Sequence, residues 1–175
     1  MLSTKIKNFI SQDAVSIFNG YTWEKIKRSN RYMKAKNGDL VSYIWEDELG
    51  MCYDIAHNDE LATVYTNLSQ NKVEQLANKK LKFAGSFYRI YGPKCVLRKH
   101  VDRDTYDYTV TINISNNPDN YRWPIFTDTQ ELTLDPGDAF VCQGNKVQHW
   151  REEHQGQWST QLMLHYQIDL SLIHI

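Results

Sequence analysis

From Phe83 onward the hydrophobic pattern of the chain settles on a period of two. FAGSFYRIY, YDYTVTINIS, RWPIFTD, QELTLD, DAFVCQ and STQLMLHYQI are strand-length runs rich in β-formers, the pattern expected of strands in a folded core. Turn signals separate them. In DPGD, Pro136 fixes φ and Gly137 permits the positive φ of a type II turn, and NNPDN is a second such corner. Six or more short strands joined this way imply an antiparallel sandwich or barrel.

The first 82 residues read as mainly helical. Ser11 is a plausible N-cap for SQDAVSIFNGYTWEKIKRS, where Val15, Phe18, Trp23 and Ile26 follow at roughly helical spacing. Asn19-Gly20 is expected to interrupt that helix. LVSYIWE (40–46) is expected to form a strand. NDELATVYTNLSQNKVEQLANKKL carries Leu61, Val64, Tyr65, Leu68, Val73, Leu76 and Ala77, the stripe of one or two amphipathic helices with a break near Ser69. The whole is read as one α+β domain, with residues 1–82 as helices packed on one sheet of a β core over 83–170.

At 175 residues and 41% hydrophobic composition the chain can bury a core and is neither disordered nor fibrous. No apolar run approaches the ~20 residues that cross a bilayer, and the N-terminus has no continuous apolar stretch of the secretory kind. Cys52, Cys95 and Cys142 are odd in number and widely spaced. They are expected to be free thiols in a reducing cytoplasm. A net charge of −1 excludes a globally basic nucleic-acid binder. Charge is nonetheless segregated. Residues 25–36 are basic, residues 39–60 hold seven acids and no Lys or Arg, and residues 79–103 are basic apart from Asp102. These blocks are either solvated faces that pair with one another or, for the third, the surroundings of a site for an anion.

His100 and Asp102 form an H-x-D pair after a strand-like run. In extended chain such residues share a side, so both can face one metal ion. His149, after DAFVCQGNKVQ, is the candidate third ligand from a distant strand. Two histidines and a carboxylate make the facial triad of non-haem Fe(II) sites, with positions left for cosubstrate and O2. A closed structural zinc site normally takes four N/S ligands.

FYRIYGPKCVLRKHVDR, VTINIS, WPIF, LDPGDAFVCQG, HWRE and QLMLHY together resemble the 2-oxoglutarate/Fe(II) dioxygenase superfamily. The likeness is to its prolyl-hydroxylase-like branch, over roughly 83–167. KIKNFISQDAVSIF is similar to the strand-then-helix entry of that family. The resemblance implies a double-stranded β-helix (jelly-roll, cupin-like) core, with Fe(II) on His100, Asp102 and His149 and 2-oxoglutarate as cosubstrate. It also implies hydroxylation of a substrate C–H bond, with the mouth bordered by the helical part and by loops 92–99 and 116–123. The family usually places an Arg on the last core strand to bind the far carboxylate of 2-oxoglutarate. Here Ser159 is near that position, and no Arg or Lys follows Arg151. A dianion still needs a cationic partner. Arg89 with Tyr91 is the leading replacement, completed by Gln161 or His165, and Arg151 is the main competitor.

Simpler roles are expected elsewhere. Trp123, Trp150 and Trp158 read as packing or rim residues, Arg103 and Asp107 as a structural pair, and Asp138 as a turn-stabilising side chain. His57, His154 and His174 read as surface residues. Two rival functions remain on the sequence: a cupin-like metalloenzyme that does not use 2-oxoglutarate, and a non-catalytic jelly-roll protein. The substrate is open among a protein side chain, a nucleobase and a small metabolite. O2 is the implied partner, no membrane is expected, and nothing identifiable reads a nucleic acid.

Overall fold

The computed structural model describes residues 2–28, 34–36, 39–41, 44–46 and 50–172, and their side chains except over 26–57 and at 172. The elements run β1 (Ser3–Ile6), α1 (Gln12–Arg28), β2 (Lys34–Lys36), β3 (Asp39–Val41), β4 (Ile44–Glu46), β5 (Gly50–His57), α2 (Glu60–Ala77) and β6 (Leu81–Tyr91). They continue through β7 (Leu97–His100), β8 (Tyr108–Asn117), β9 (Ile125–Thr127), β10 (Glu131–Leu132), β11 (Ala139–Cys142), β12 (His149–Arg151) and β13 (Trp158–Ile168). A seven-stranded antiparallel sheet has the order β1-β11-β8-β13-β6-β5-β4, a four-stranded one β10-β9-β12-β7, and β2 pairs with β3 alone. The first 82 residues therefore hold more strand than their pattern suggests. β5 lies inside the acid-rich block, and its place is set by pairing along β6 from Cys52↔Tyr91 to His57↔Phe87. Of LVSYIWE, the first two residues lie in β3, which pairs with β2, and the last three form β4, which joins the large sheet; residues 42 and 43 lie outside the described residues.

Alternation explains the layers. On β8, Val110, Ile112 and Ile114 point into the main core with Phe18, Val73 and Tyr88, whereas Thr109 and Thr111 point to the other face and line a cavity. On β13, Leu162, Leu164 and Tyr166 join the core while Gln161, Met163 and His165 line the same cavity. One face of the large sheet is thus apolar and covered by α1 and α2. The other is polar and faces a cavity whose opposite wall includes His149 and Arg151 of the small sheet.

Both helices are continuous. Ser11 caps α1 by accepting from Ala14 N–H at 3.2 Å. Asn19-Gly20 does not break the helix, because Phe18 and Thr22 on either side are anchored in the core. Thr22 and Tyr88 hydroxyls are hydrogen-bonded there, and Tyr88 donates to the Phe18 carbonyl at 2.8 Å. Asp59 caps α2 by accepting from Leu61 and Ala62 N–H. Nor does α2 break at Ser69. Its buried stripe is Ala62, Thr66, Ser69 and Val73, at the 4-3-4 spacing of one helix face. The larger Val64 and Leu68, expected in the core, are exposed. The helix packs too close for them on this side: Tyr166 of β13 donates its hydroxyl to the Thr66 carbonyl at 2.8 Å.

Gly137 has φ +92°, as the DPGD turn requires. Asp138 ties that turn to the N-terminus, accepting from Asn8 N–H at 2.9 Å and Asp135 N–H at 3.2 Å and pairing with Lys5 at 2.8 Å. Burial raises its pKa, but these donors more than offset that and hold it below the usual carboxylate range. Cys95 and Cys142 are buried and form no disulfide among the described residues; the Cys52 side chain lies outside the described residues. No helix among the described residues is long and apolar enough to cross a membrane.

Candidate metal centre

The two histidines of the H-x-D…H set are direct cross-strand partners. His149 opens β12 and His100 closes β7, with ring centroids 4.4 Å apart. Each ring is oriented by its own backbone. His100 Nδ1 lies 2.8 Å from the Arg98 carbonyl and His149 Nδ1 2.9 Å from the Val147 carbonyl. A carbonyl only accepts, so both Nδ1 atoms carry the proton and both Nε2 atoms present lone pairs. The two Nε2 atoms stand 3.7 and 3.8 Å from Oδ1 of Asp102. Burial pushes the His149 imidazole below its ordinary pKa, a shift that the Asp102 charge only partly offsets. The neutral form is the one a metal needs.

Asp102 is fixed from two sides. Its N–H donates to the Gly144 carbonyl at 2.8 Å. Its Oδ2 accepts from the Thr109 hydroxyl at 2.5 Å, and His165 Nδ1 lies 3.0 Å from the same hydroxyl oxygen. Thr109 has one proton and gives it to the carboxylate, so His165 donates. His165 in turn stacks on Tyr106 with centroids 4.1 Å apart. A Cβ added at Gly144 would collide with Asp102 Oδ2 and Thr109 Oγ1, so only glycine fits beside the carboxylate.

Every pair of donor atoms in this set lies within 4.8 Å, and it is the one such group among the described residues. Bonds of ~2.1 Å from three donors to one ion want separations of roughly 3–4 Å. The set is therefore slightly open, and side-chain adjustments of under an ångström close it. Two imidazoles with directed lone pairs and one hydrogen-bonded carboxylate, on the wall of a cavity, fit a divalent iron-type ion with open positions.

The cavity has a volume of about 380 Å³ and brings together all eight residues singled out in the sequence. Besides the triad, Arg89 and Tyr91 line it from β6, Gln161 and His165 from β13, and Arg151 from β12. Gln161 is the register partner of Arg89, and Ser159 of Tyr91. Arg89 is half-buried, its guanidinium 5.1 Å from the Phe87 ring centroid, and its register partner on β5 is Asp54. Tyr91 is buried against Trp123. Of the two arginines, Arg151 is the more enclosed. It donates to the Trp123 carbonyl and to Gln161 Oε1 at 3.3 Å, and it lies over the Trp123 ring at 4.8 Å. Among the described residues no carboxylate lies within 4.0 Å of it. Burial drives its pKa down to about 10, against the raising influence of Tyr91 and Tyr121.

Other sequence expectations are revised. Arg103 does not pair with Asp107, whose oxygens accept from Asn145 Nδ2 and Ile168 N–H. His154 is buried, between Tyr121, Trp123 and Ser159. The aromatic wall over it excludes water from a position that hydrophilic neighbours in sequence mark as surface. The His57 side chain and His174 lie outside the described residues. Trp123 is a packing residue, while Trp150 points outward and stacks on Phe126. No residue of α1, α2 or the 116–123 loop lines the cavity among the described residues; the rim is built from Leu97 to Tyr106. Thr109 and Gly144 were not singled out in the sequence. The polar positions of the T-V-T-I-N alternation were the available signal for Thr109, and Gly144 left none.

No protein-family model matches the sequence, and no curated protein matches it. Solved structures do match the fold. A prolyl-4-hydroxylase from Pseudomonas putida superposes with a TM-score of 0.69 at 12% identity, over 95% of this chain and 92% of that one. A viral collagen prolyl hydroxylase from Paramecium bursaria Chlorella virus-1, solved with 2-oxoglutarate, gives 0.65 at 10% identity over 97% of each chain. HygX from Streptomyces hygroscopicus, solved with nickel and 2-oxoglutarate, gives 0.64 at 10% identity over 96% and 83%. The chain has the fold of the 2-oxoglutarate-dependent Fe(II) oxygenases, in the form shared by prolyl hydroxylases.

Proposed function

We propose that this chain is an Fe(II)- and 2-oxoglutarate-dependent oxygenase, a hydroxylase built on a single double-stranded β-helix domain. His100, Asp102 and His149 hold the iron. Arg151 binds the far carboxylate of the cosubstrate, with Tyr91 beside it. The observation that carries the reading is Arg151: a fully buried guanidinium with no acid partner among the described residues, in the same cavity as a two-histidine, one-carboxylate set. A buried cation is costly without a counter-ion, and a dicarboxylate supplies one. The same observation disfavours a cupin-like enzyme without 2-oxoglutarate, which would leave that charge uncompensated. On that ground we take Arg151, rather than Arg89, as the anchor.

The bound pair would supply O2-driven oxidation of a C–H bond, coupled to loss of CO2 from the cosubstrate. The protein supplies position. Gln161 holds the Arg151 fork, Thr109 holds the free oxygen of Asp102, and the two backbone carbonyls hold the imidazoles. Buried cysteines outside any described disulfide, Cys95 and Cys142, suit a reducing cytoplasm, the compartment we propose for it.

Anaerobic titration with Fe(II) and then 2-oxoglutarate tests the reading, followed by assay of succinate on admitting O2. One iron, one cosubstrate and succinate release are expected. Arg151→Gln should keep the metal and lose about 2–5 kcal/mol of cosubstrate affinity, the range for truncating one partner of a buried charge pair. A wild-type protein that binds the metal and ignores 2-oxoglutarate overturns it.

A further inference from the structure

The cavity wall holds Arg89, Arg98, Arg103 and Arg151 against one carboxylate, Asp102. Iron and 2-oxoglutarate are equal and opposite in charge. Even setting Arg89 aside, and counting Asp102 against Arg151, two positive charges stay at the mouth. These are Arg98 and Arg103, which flank the metal-ligand pair in the chain. Arg98 shares the inward side of β7 with His100, and its carbonyl is held by the His100 ring. Arg103 follows Asp102 directly; its carbonyl accepts from Tyr106 N–H at 2.8 Å, and its guanidinium lies 6.0 Å from the Tyr106 ring.

Of the neighbouring acids, Asp104 follows Arg103 but does not line the cavity and has no ion pair among the described residues. Asp128 pairs with Lys99, which points away from the cavity, and Asp107 is bound by Asn145 and the Ile168 N–H. Among the described residues, neither Arg98 nor Arg103 has an ion-pair partner. Between them stands Val101, an apolar side chain that is 43% exposed and also lines the mouth.

We infer that the mouth binds a small organic anion, a carboxylate or phosphate ester, as the substrate of the proposed oxygenase. Its anionic group sits between Arg98 and Arg103, and its carbon body lies against Val101, Phe87 and Met163, which share the cavity. Size argues for a small molecule. About 380 Å³ is near the lower end of the ~300–1,000 Å³ of small-molecule pockets, and the cosubstrate takes part of it. A nucleic-acid backbone needs a string of cations along its path. Here the flanking Lys99 is neutralised by Asp128, and the chain carries a net charge of −1.

The inference rests on the oxygenase reading for the word substrate, but anion binding is measured without turnover. Protein loaded with Mn(II) is titrated calorimetrically with 2-oxoglutarate. The loaded protein is then titrated with phenyl phosphate, phenylacetate and the neutral benzyl alcohol. At least one of the two anions should bind ~10-fold or more tightly than the alcohol, weaken with salt, and show which anionic group is preferred. Arg98→Gln/Arg103→Gln should erase that preference while changing 2-oxoglutarate affinity less than about twofold. Arg98→Lys/Arg103→Lys should retain most of it, which separates charge from folding.

Equal binding of anions and alcohol by the wild type overturns the inference. So does a double Gln variant that still prefers the anions, or one that loses 2-oxoglutarate to the same degree. An oligothymidylate or polyglutamate that outcompetes phenyl phosphate overturns the small-molecule assignment. Failure of 2-oxoglutarate alone to bind sinks the oxygenase reading instead. The anion titration then proceeds on the Mn(II) protein, with Arg151→Gln as control: phenyl phosphate affinity lost in that variant and kept in the double Gln variant overturns the mouth site.

Discussion

Arg151 on β12 and Gln161 on β13 meet across the two sheets. Nη2 of Arg151 donates to Oε1 of Gln161 at 3.3 Å, and Nε2 of Gln161 donates to Oδ1 of Asn113 at 2.9 Å. Asn113 donates in turn to the Leu134 carbonyl at 2.8 Å. The amide therefore has one orientation, with its oxygen toward the guanidinium.

Gln161→Glu should exploit that orientation. The new carboxylate gives Arg151 a counter-ion that no described residue provides, and it also replaces the donor to Asn113 Oδ1 with an acceptor, so the gain and the loss in stability oppose each other. It should also compete with the cosubstrate. We expect 2-oxoglutarate affinity to fall about 10- to 100-fold with metal affinity unchanged, as charge-assisted hydrogen bonds of roughly 1.5–3 kcal/mol are redirected inward. Cosubstrate affinity that survives in this variant argues against Arg151 as the anchor.

Gly144→Ala should damage the metal centre without touching a ligand. The added methyl meets Asp102 Oδ2 and Thr109 Oγ1, and the carboxylate must turn away. A loss of Fe(II) affinity of at least ~10-fold is expected, with circular dichroism little changed. Wild-type metal affinity in this variant would mean that Asp102 is not held where the structure has it.

Thr109→Val tests support of the carboxylate more gently. The substitution keeps the shape and removes the donor to Asp102 Oδ2. Metal affinity should fall about 10- to 100-fold and stability by no more than ~1–3 kcal/mol. Thr109→Ser should restore most of the affinity, an outcome that a packing role for the threonine methyl does not produce.

His154 should make stability fall in mild acid. Burial pushes its pKa down to about 4, aided by the nearby Arg151 charge and opposed by the hydrogen bond to the Gly156 carbonyl. The unfolded chain takes up the proton near pH 6.5. Folded stability from this group is therefore complete above about pH 6.5 and is lost as pH falls toward 4, at ~1.4 kcal/mol per unit. Chemical denaturation at stepped pH should show that slope, and His154→Gln should flatten it. A slope unchanged in the variant assigns it to other groups.

The strands after Phe83 were legible because each carries its own alternation, and DPGD because Pro136 and Gly137 leave the backbone few options. The convergence of His100, Asp102 and His149 was legible because the H-x-D spacing sets two of the side chains on one side of the chain. What lay beyond reach was set across the chain. β5 is specified by its neighbour, and α2 buries Thr66 and Ser69 instead of Val64 and Leu68 because Tyr166 holds it close. Arg89 and Arg151 both line the cavity, and only the burial of Arg151 and its lack of an acid among the described residues separate them as partners for a dianion. His154 looked solvent-facing because aromatic residues distant in sequence, Tyr121 and Trp123, are what cover it.

In β6 the letters for holding the molecule together and the letters that line the cavity are interleaved. Tyr88 sits in the core, while Phe87, Arg89 and Tyr91 look into the cavity. Point changes can therefore reshape the cavity while leaving the scaffold's half of the text intact. Inserting or deleting a single residue in this strand has no such freedom. It exchanges the two sets, turning arginine into the core and tyrosine out of it, so diversification along this strand is confined to substitution.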